Sequence, residues 1–176
     1  MVRKICKILS NILLAMLALV AAVLIIPNFF GCKGLAVLTG SMEPKIGVGA
    51  LVYIKDVEPE TLKIGDVVTY RISKESLVTH RVTENNENKK YVITKGDANE
   101  AEDGMIPYDA LVGKEIFYIP KLGYVSMYIK TPLGIGVGCG ILVIIILLTF
   151  LPDVLEPNGN ESEKEAKDSP EISKKK

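Results

Sequence analysis

The chain has 176 residues, enough for one modest domain rather than two. Its 21 basic and 21 acidic residues cancel, so nothing in the charge argues for a nucleic-acid partner. Hydrophobic residues make up 48% of the chain but aromatics only 6%, and the apolar excess is gathered into two runs.

Residues 1–7 carry Arg3, Lys4 and Lys7 and read as a basic cytoplasmic N-terminus. Ile8 to Ile26 follows, nineteen residues without a formal charge. As a helix this run is about 28 Å long, the thickness of a bilayer's hydrocarbon core. A cleaved signal peptide is the plain alternative, given the basic leader. The run is longer than a usual signal core, however, and Ile25-Ile26-Pro27-Asn28-Phe29-Phe30 offers no small-x-small cleavage site. The same bulky residues argue against a lipid-modified Cys32. An uncleaved anchor over 8–26 is therefore expected, with the positive-inside tendency keeping the N-terminus cytoplasmic.

Thr39 to Gly47 (TGSMEPKIG) is a turn by composition and displays Ser41 a dozen residues beyond the anchor. Five β-prone runs come next: Ala50–Lys55, Asp66–Ile72, Leu77–Glu84, Lys90–Lys95 and Leu111–Ile119. Asn85–Asn88 reads as the loop of a hairpin joining the third and fourth. With no good amphipathic helix between them, these runs predict a mainly β domain over residues 27–134, an antiparallel sheet folded on itself. Ile135 to Leu151 is a second apolar run of seventeen residues, expected to cross the membrane despite its early glycines. An even number of spans leaves residues 27–134 outside and returns the chain to the cytoplasm. The charged, aromatic-free stretch 152–176 is expected to be disordered. Cys6, Cys32 and Cys139 supply no disulfide framework.

A serine needs a base to act as a nucleophile, and the chain has one histidine, His80. Histidine titrates near neutrality and serves there as a base. Strand alternation places Val78, His80 and Val82 on one face, with Thr79, Arg81 and Thr83 on the other. A histidine between two valines also reads as a hydrogen-bonded core residue. The loop after the fourth run, Thr94 to Gly104 (TKGDANEAEDG), offers Asp97 and Asp103. Solvation is the ordinary role of any one such loop carboxylate. Spacing alone leaves open whether Ser41, His80 and an aspartate meet; it establishes that a Ser-His-Asp set can be assembled in one domain. One histidine and no cysteine cluster imply no metal and no cofactor.

Taken in order across residues 37–113, TGSMEP, IGDVVTYR, THRV and TKGDAN followed by Glu102-Asp103 resemble the successive motifs of the type I signal peptidases. The histidine in THRV matches the endoplasmic-reticulum-type branch, which includes archaeal enzymes and the SipW-type enzymes of Gram-positive bacteria; the other branch carries lysine there. The resemblance implies that Ser41 is the acyl-forming nucleophile and His80 the general base. It implies Asp103 as the histidine's partner and Asp97 as a second carboxylate, structural or catalytic. Gly96-Asp97-Ala98-Asn99 departs from the family's Gly-Asp-Asn-Asn at its third position. The oxyanion is expected on the Ser41 backbone N–H and the Thr39 hydroxyl.

The function so implied is removal of signal peptides from exported preproteins after small residues, by a multi-pass plasma-membrane serine endopeptidase with its catalytic domain on the extracytoplasmic side. Its partners are the preproteins, the bilayer and the secretion translocon. Two alternatives are a Ser-Lys self-cleaving peptidase, with Lys95 as base, and a non-catalytic anchored β-domain that binds exported proteins.

Overall fold

The computed structural model describes residues 2–155, with side chains over residues 4–150. The tail expected to be disordered lies outside the described residues from position 156 onward; its first residues, 152–155, continue a helix. The chain divides into two compact units, one spanning Leu19–Gly136 and one made of the chain on either side of it.

Two long helices flank a sheet. The first, α1 (Val2–Phe29), extends the expected span at both ends, and Lys4–Phe29 is long and apolar enough to cross a membrane. Two of its polar side chains bond the helix's own backbone: Ser10 Oγ donates to the Lys7 carbonyl at 3.2 Å and Asn28 Nδ2 to that of Leu24 at 2.9 Å. Such pairing is what a solvent without hydrogen-bond partners demands. The last helix, which follows the sheet, covers Pro132–Leu155, and its stretch Pro132–Phe150 meets the same criterion.

Between them run seven strands: β1 (Cys32–Ala36), β2 (Leu51–Lys55), β3 (Val67–Arg71), β4 (Leu77–Asn86), β5 (Tyr91–Lys95), β6 (Ile106–Pro107) and β7 (Leu111–Ile119). Their order in the sheet is β1-β2-β7-β3-β4-β5-β6, every neighbouring pair antiparallel. The five expected runs are β2, β3, β4, β5 and β7, displaced by at most two residues at either end. Register shifts at Tyr53/Ile54, Thr69/Tyr70 and Val82/Glu84 bend the ladder, so the sheet curls.

Both faces of β3 are covered. Val67 belongs to a buried cluster with Met42, Ile46, Val52 and Ile54, whereas its neighbour Val68 packs with Tyr70, Val82, Val92 and Leu62. Successive residues of a strand point to opposite faces, so one short strand closes two cores. A short helix, α2 (Leu122–Tyr128), follows β7 and docks on the turn before β2, where the Gly123 N–H donates to the Gly49 carbonyl at 2.9 Å. Gly49 has φ +80°, and the Tyr124 ring fills the space a side chain there would need.

Candidate active site

The serine turn is anchored from below. Met42 and Ile46, either side of the exposed Glu43-Pro44-Lys45, are 2% and 0% exposed and sit in the first core cluster. Within the turn Glu43 N–H donates to the Gly40 carbonyl at 3.0 Å and Ile46 N–H to that of Met42 at 2.9 Å. Val37 and Ala50 close its base through Val37 N–H to the Ala50 carbonyl at 2.9 Å. Ser41 is thereby held at the surface by apolar neighbours that cannot follow it into water.

His80 lies on β4, only 6% exposed. In the β3–β4 register Val68 stands opposite His80 and Tyr70 opposite Val78, and in β4–β5 Val82 stands opposite Thr94. Directly opposed residues share a face, so Tyr70, His80, Val82 and Thr94 all look the same way. Asp103 arrives over that face because its own N–H donates to the Thr94 carbonyl at 2.7 Å, folding the loop back across β5. His80 Nδ1 then lies 2.6 Å from Asp103 Oδ2. The same oxygen accepts from Thr94 Oγ1 at 2.5 Å and from Tyr70 Oη at 3.1 Å. Burial raises the Asp103 carboxyl, but the hydrogen bonds from Thr94, His80 and Tyr70 outweigh it and hold the group below the ordinary carboxylate value.

The other ring nitrogen of His80 has no hydrogen bond. Among the described residues no buried side-chain nitrogen or oxygen lacks a partner, so Nε2 must reach open space. His80 lines a cleft of 460 Å³ together with Ser41, Thr39, Met42, Val37 and Val78 among others. A larger groove of 690 Å³ beside Lys33, Arg71 and Tyr108 holds none of the expected site residues, and its size alone gives it no chemistry. No hydrogen bond joins Ser41 Oγ to His80; such contacts often tighten only with substrate in place.

Asp97 goes elsewhere. Arg81, next to His80 but on the opposite face, grips it with Nε at 2.7 Å and Nη2 at 2.6 Å, and donates Nη1 to the Gly65 carbonyl at 2.7 Å. One guanidinium thus ties together the IGD turn, the THRV strand and the GDAN loop. That loop in turn supports the serine: Ala98 N–H donates to the Ser41 carbonyl at 2.9 Å. Gly96 permits the approach, since a Cβ there would stand 2.7 Å from that carbonyl oxygen. Lys95 is opposite Arg81 in the ladder, hence turned away from Thr94 and Asp103, and it does not line the cleft.

Tyr70, Thr94 and Arg81 are functional candidates that reading residue types along the chain passes over. The first two sit inside the IGDVVTYR and TKGDAN runs. Aligning the alternation of three strands, rather than of the His80 strand alone, is the signal that points to them.

No family model matches the chain. It is 35% identical over 126 residues to the "Signal peptidase complex catalytic subunit SEC11" of Scheffersomyces stipitis, covering 64% of this chain and 75% of that one. The like-named protein of Zygosaccharomyces rouxii is 36% identical over 53% of this chain and 64% of its own. "Signal peptidase I W" of Bacillus subtilis is 32% identical over 55% of this chain and 58% of its own, so the match to these last two spans less than two thirds of their length. Three quarters of the S. stipitis subunit is nevertheless matched at 35% identity, and on that ground the chain belongs to the type I signal peptidases, in the branch of the SEC11 subunits and signal peptidase I W.

Proposed function

We propose that this chain is a membrane-bound serine endopeptidase that removes N-terminal signal peptides from exported preproteins after small residues. The observation that carries the proposal is the His80 ring itself: one nitrogen is fixed by Asp103 at 2.6 Å, the other has no hydrogen-bond partner, and the ring lines the same cleft as Ser41. An imidazole held in that way presents a lone pair, not a proton, to the serine.

The chemistry follows. Ser41 Oγ attacks the carbonyl carbon of the scissile bond as His80 Nε2 takes its proton. Asp103 accepts the hydrogen bond from Nδ1–H and stabilises the imidazolium that forms. Negative charge gathers on the carbonyl oxygen, where the Ser41 backbone N–H and the Thr39 hydroxyl meet it. Collapse of this intermediate breaks the C–N bond, and the imidazolium gives its proton to the leaving amine. Water, deprotonated by the same nitrogen, then attacks the acyl carbon; the bond to Ser41 Oγ breaks and the imidazolium returns the proton to that oxygen. Asp97 takes no proton in this scheme: clamped by Arg81, it holds the loop that supports the Ser41 carbonyl.

The enzyme works at the bilayer. Residues 8–26 and 135–151 anchor it in the plasma membrane, residues 1–7 and 152–176 face the cytoplasm, and residues 27–134 form the extracytoplasmic catalytic domain. The basic leader and the two apolar helices support this orientation. Preproteins emerging from the secretion translocon reach the cleft while still threaded through the membrane.

Processing of a preprotein with an Ala-x-Ala site, in membranes carrying wild type or the Ser41, His80 and Asp103 alanine variants, tests the reading. The Ser41 and His80 variants should leave the precursor uncut, and the Asp103 variant should cut only a small fraction of it over long incubation. Normal processing by any one removes that residue from the mechanism.

A further inference from the structure

We propose that Tyr70 is a positioning residue for the peptidase reaction: its phenolic O–H, together with the Thr94 hydroxyl, fixes the Asp103 oxygen that accepts the hydrogen bond from His80 Nδ1–H. The inference rests on the mechanism above and deepens it.

Three elements converge on one atom. Asp103 Oδ2 meets Tyr70 Oη from β3 at 3.1 Å, His80 Nδ1 from β4 at 2.6 Å and Thr94 Oγ1 from β5 at 2.5 Å. A buried tyrosine needs some partner for its hydroxyl, and a backbone carbonyl would serve a purely structural role. This one is spent on the oxygen that orients the base. Tyr70 is 5% exposed and Thr94 0%, so neither donor is exchanged for water. The Tyr70 ring also stands edge-on to the His80 ring, with centroids 6.3 Å apart and planes at 67°. Burial pushes the phenol up to about 12, so it remains a donor throughout any working pH.

The consequence is electrostatic as well as steric. Each neutral donor on Oδ2 draws off part of the charge that Asp103 directs at Nδ1. With one donor removed, the imidazolium is held more strongly and the imidazole turns more freely. Around this centre the titratable groups are Tyr70 from β3 and His80 from β4, with Glu75 lining the cleft beside His80. Arg81 and Asp97 neutralise each other on the opposite face.

Tyr70→Phe keeps the ring and removes only the donor. Measured on an Ala-x-Ala preprotein in vesicles, it should lower kcat roughly 10- to 150-fold, the range for losing one hydrogen bond to a charged group, with KM unchanged. The acid limb of the pH–rate profile should move to higher pH. In an Asp103→Ala background, where residual cleavage is followed over long incubation, Tyr70→Phe should cost nothing further, because it acts through Asp103. Wild-type kcat and an unmoved acid limb in Tyr70→Phe would overturn the inference, as would a full additional loss in the Asp103→Ala background. His80→Ala separates the two claims: if that variant cleaves normally, the mechanism itself has failed, whereas an inactive His80→Ala beside an unaffected Tyr70→Phe sinks the role of Tyr70 alone.

Discussion

Replacing Gly96 with alanine should disable the peptidase from beneath Ser41, the proposed nucleophile. The new Cβ would stand 2.7 Å from the Ser41 carbonyl oxygen and 2.7 Å from Asn99 Nδ2, where ordinary contact begins near 3.4 Å. The Asn99 amide can swing aside, but the Ser41 oxygen is backbone and is already bound to Ala98 N–H at 2.9 Å. The loop and the serine turn must therefore separate by up to 0.7 Å, the difference between those two distances. Overpacking of this kind costs about 1–3 kcal/mol of stability. Its effect on rate is larger in kind, because a misplacement of about 1 Å at a reacting group is worth roughly 100-fold. We expect kcat on a preprotein in vesicles to fall at least tenfold, on the order that this displacement implies, while thermal unfolding stays cooperative. Gly104→Ala is the control, since a Cβ there meets nothing within 4 Å. Cleavage by Gly96→Ala at the rate of Gly104→Ala would refute the idea that the GDAN loop holds the serine in place.

Three further outcomes are expected. Thr39→Val should reduce kcat by the equivalent of about 3 kcal/mol, the usual cost of one oxyanion donor, with little change in KM; full activity would remove Thr39 from the site. Met42→Ala should destabilise the catalytic domain by about 2–5 kcal/mol, read by thermal or denaturant unfolding, because its fully buried side chain leaves a cavity under the serine turn. Asp103 is held below its ordinary value in the folded protein, so its contribution to stability is present above the unfolded value of about 4 and is lost as pH falls through the folded one. Asp103→Asn should therefore flatten the acid side of the stability profile, and an unchanged slope below pH of about 4 would contradict the hydrogen-bonded carboxylate.

The parts of the fold legible in the sequence are those where one physical signal dominates. β3, β4 and β7 are dense in β-branched and aromatic residues, and the glycine, proline and asparagine clusters between them mark turns. β1, by contrast, is Cys-Lys-Gly-Leu-Ala, with no β-branched residue; it exists because β2 offers it an edge. β6 has only Ile106 and Pro107 and is made by pairing with β5. α2 is seven residues long and starts after Lys121 at φ +62°, a conformation no residue pattern announces.

The site divides similarly. Ser41 and His80 stand out by residue type, one on a glycine-bounded turn and the other as the sole histidine. Asp97 and Asp103 share one acidic loop, and composition treats them alike. What distinguishes them is the backbone bond from Asp103 to Thr94 and the guanidinium of Arg81 on the other side of the strand. Both are tertiary facts, fixed by which strands pair and in what register.

The identity of the nucleophile is the centre of the account, and covalent capture tests it most directly. A peptidyl fluorophosphonate ending in an Ala-x-Ala sequence, incubated with the full chain in vesicles and followed by peptide mass spectrometry, should leave a single phosphonyl adduct on Ser41. The adduct should disappear in Ser41→Ala and form far more slowly in His80→Ala. Labelling at another residue, or undiminished labelling in Ser41→Ala, would contradict the account.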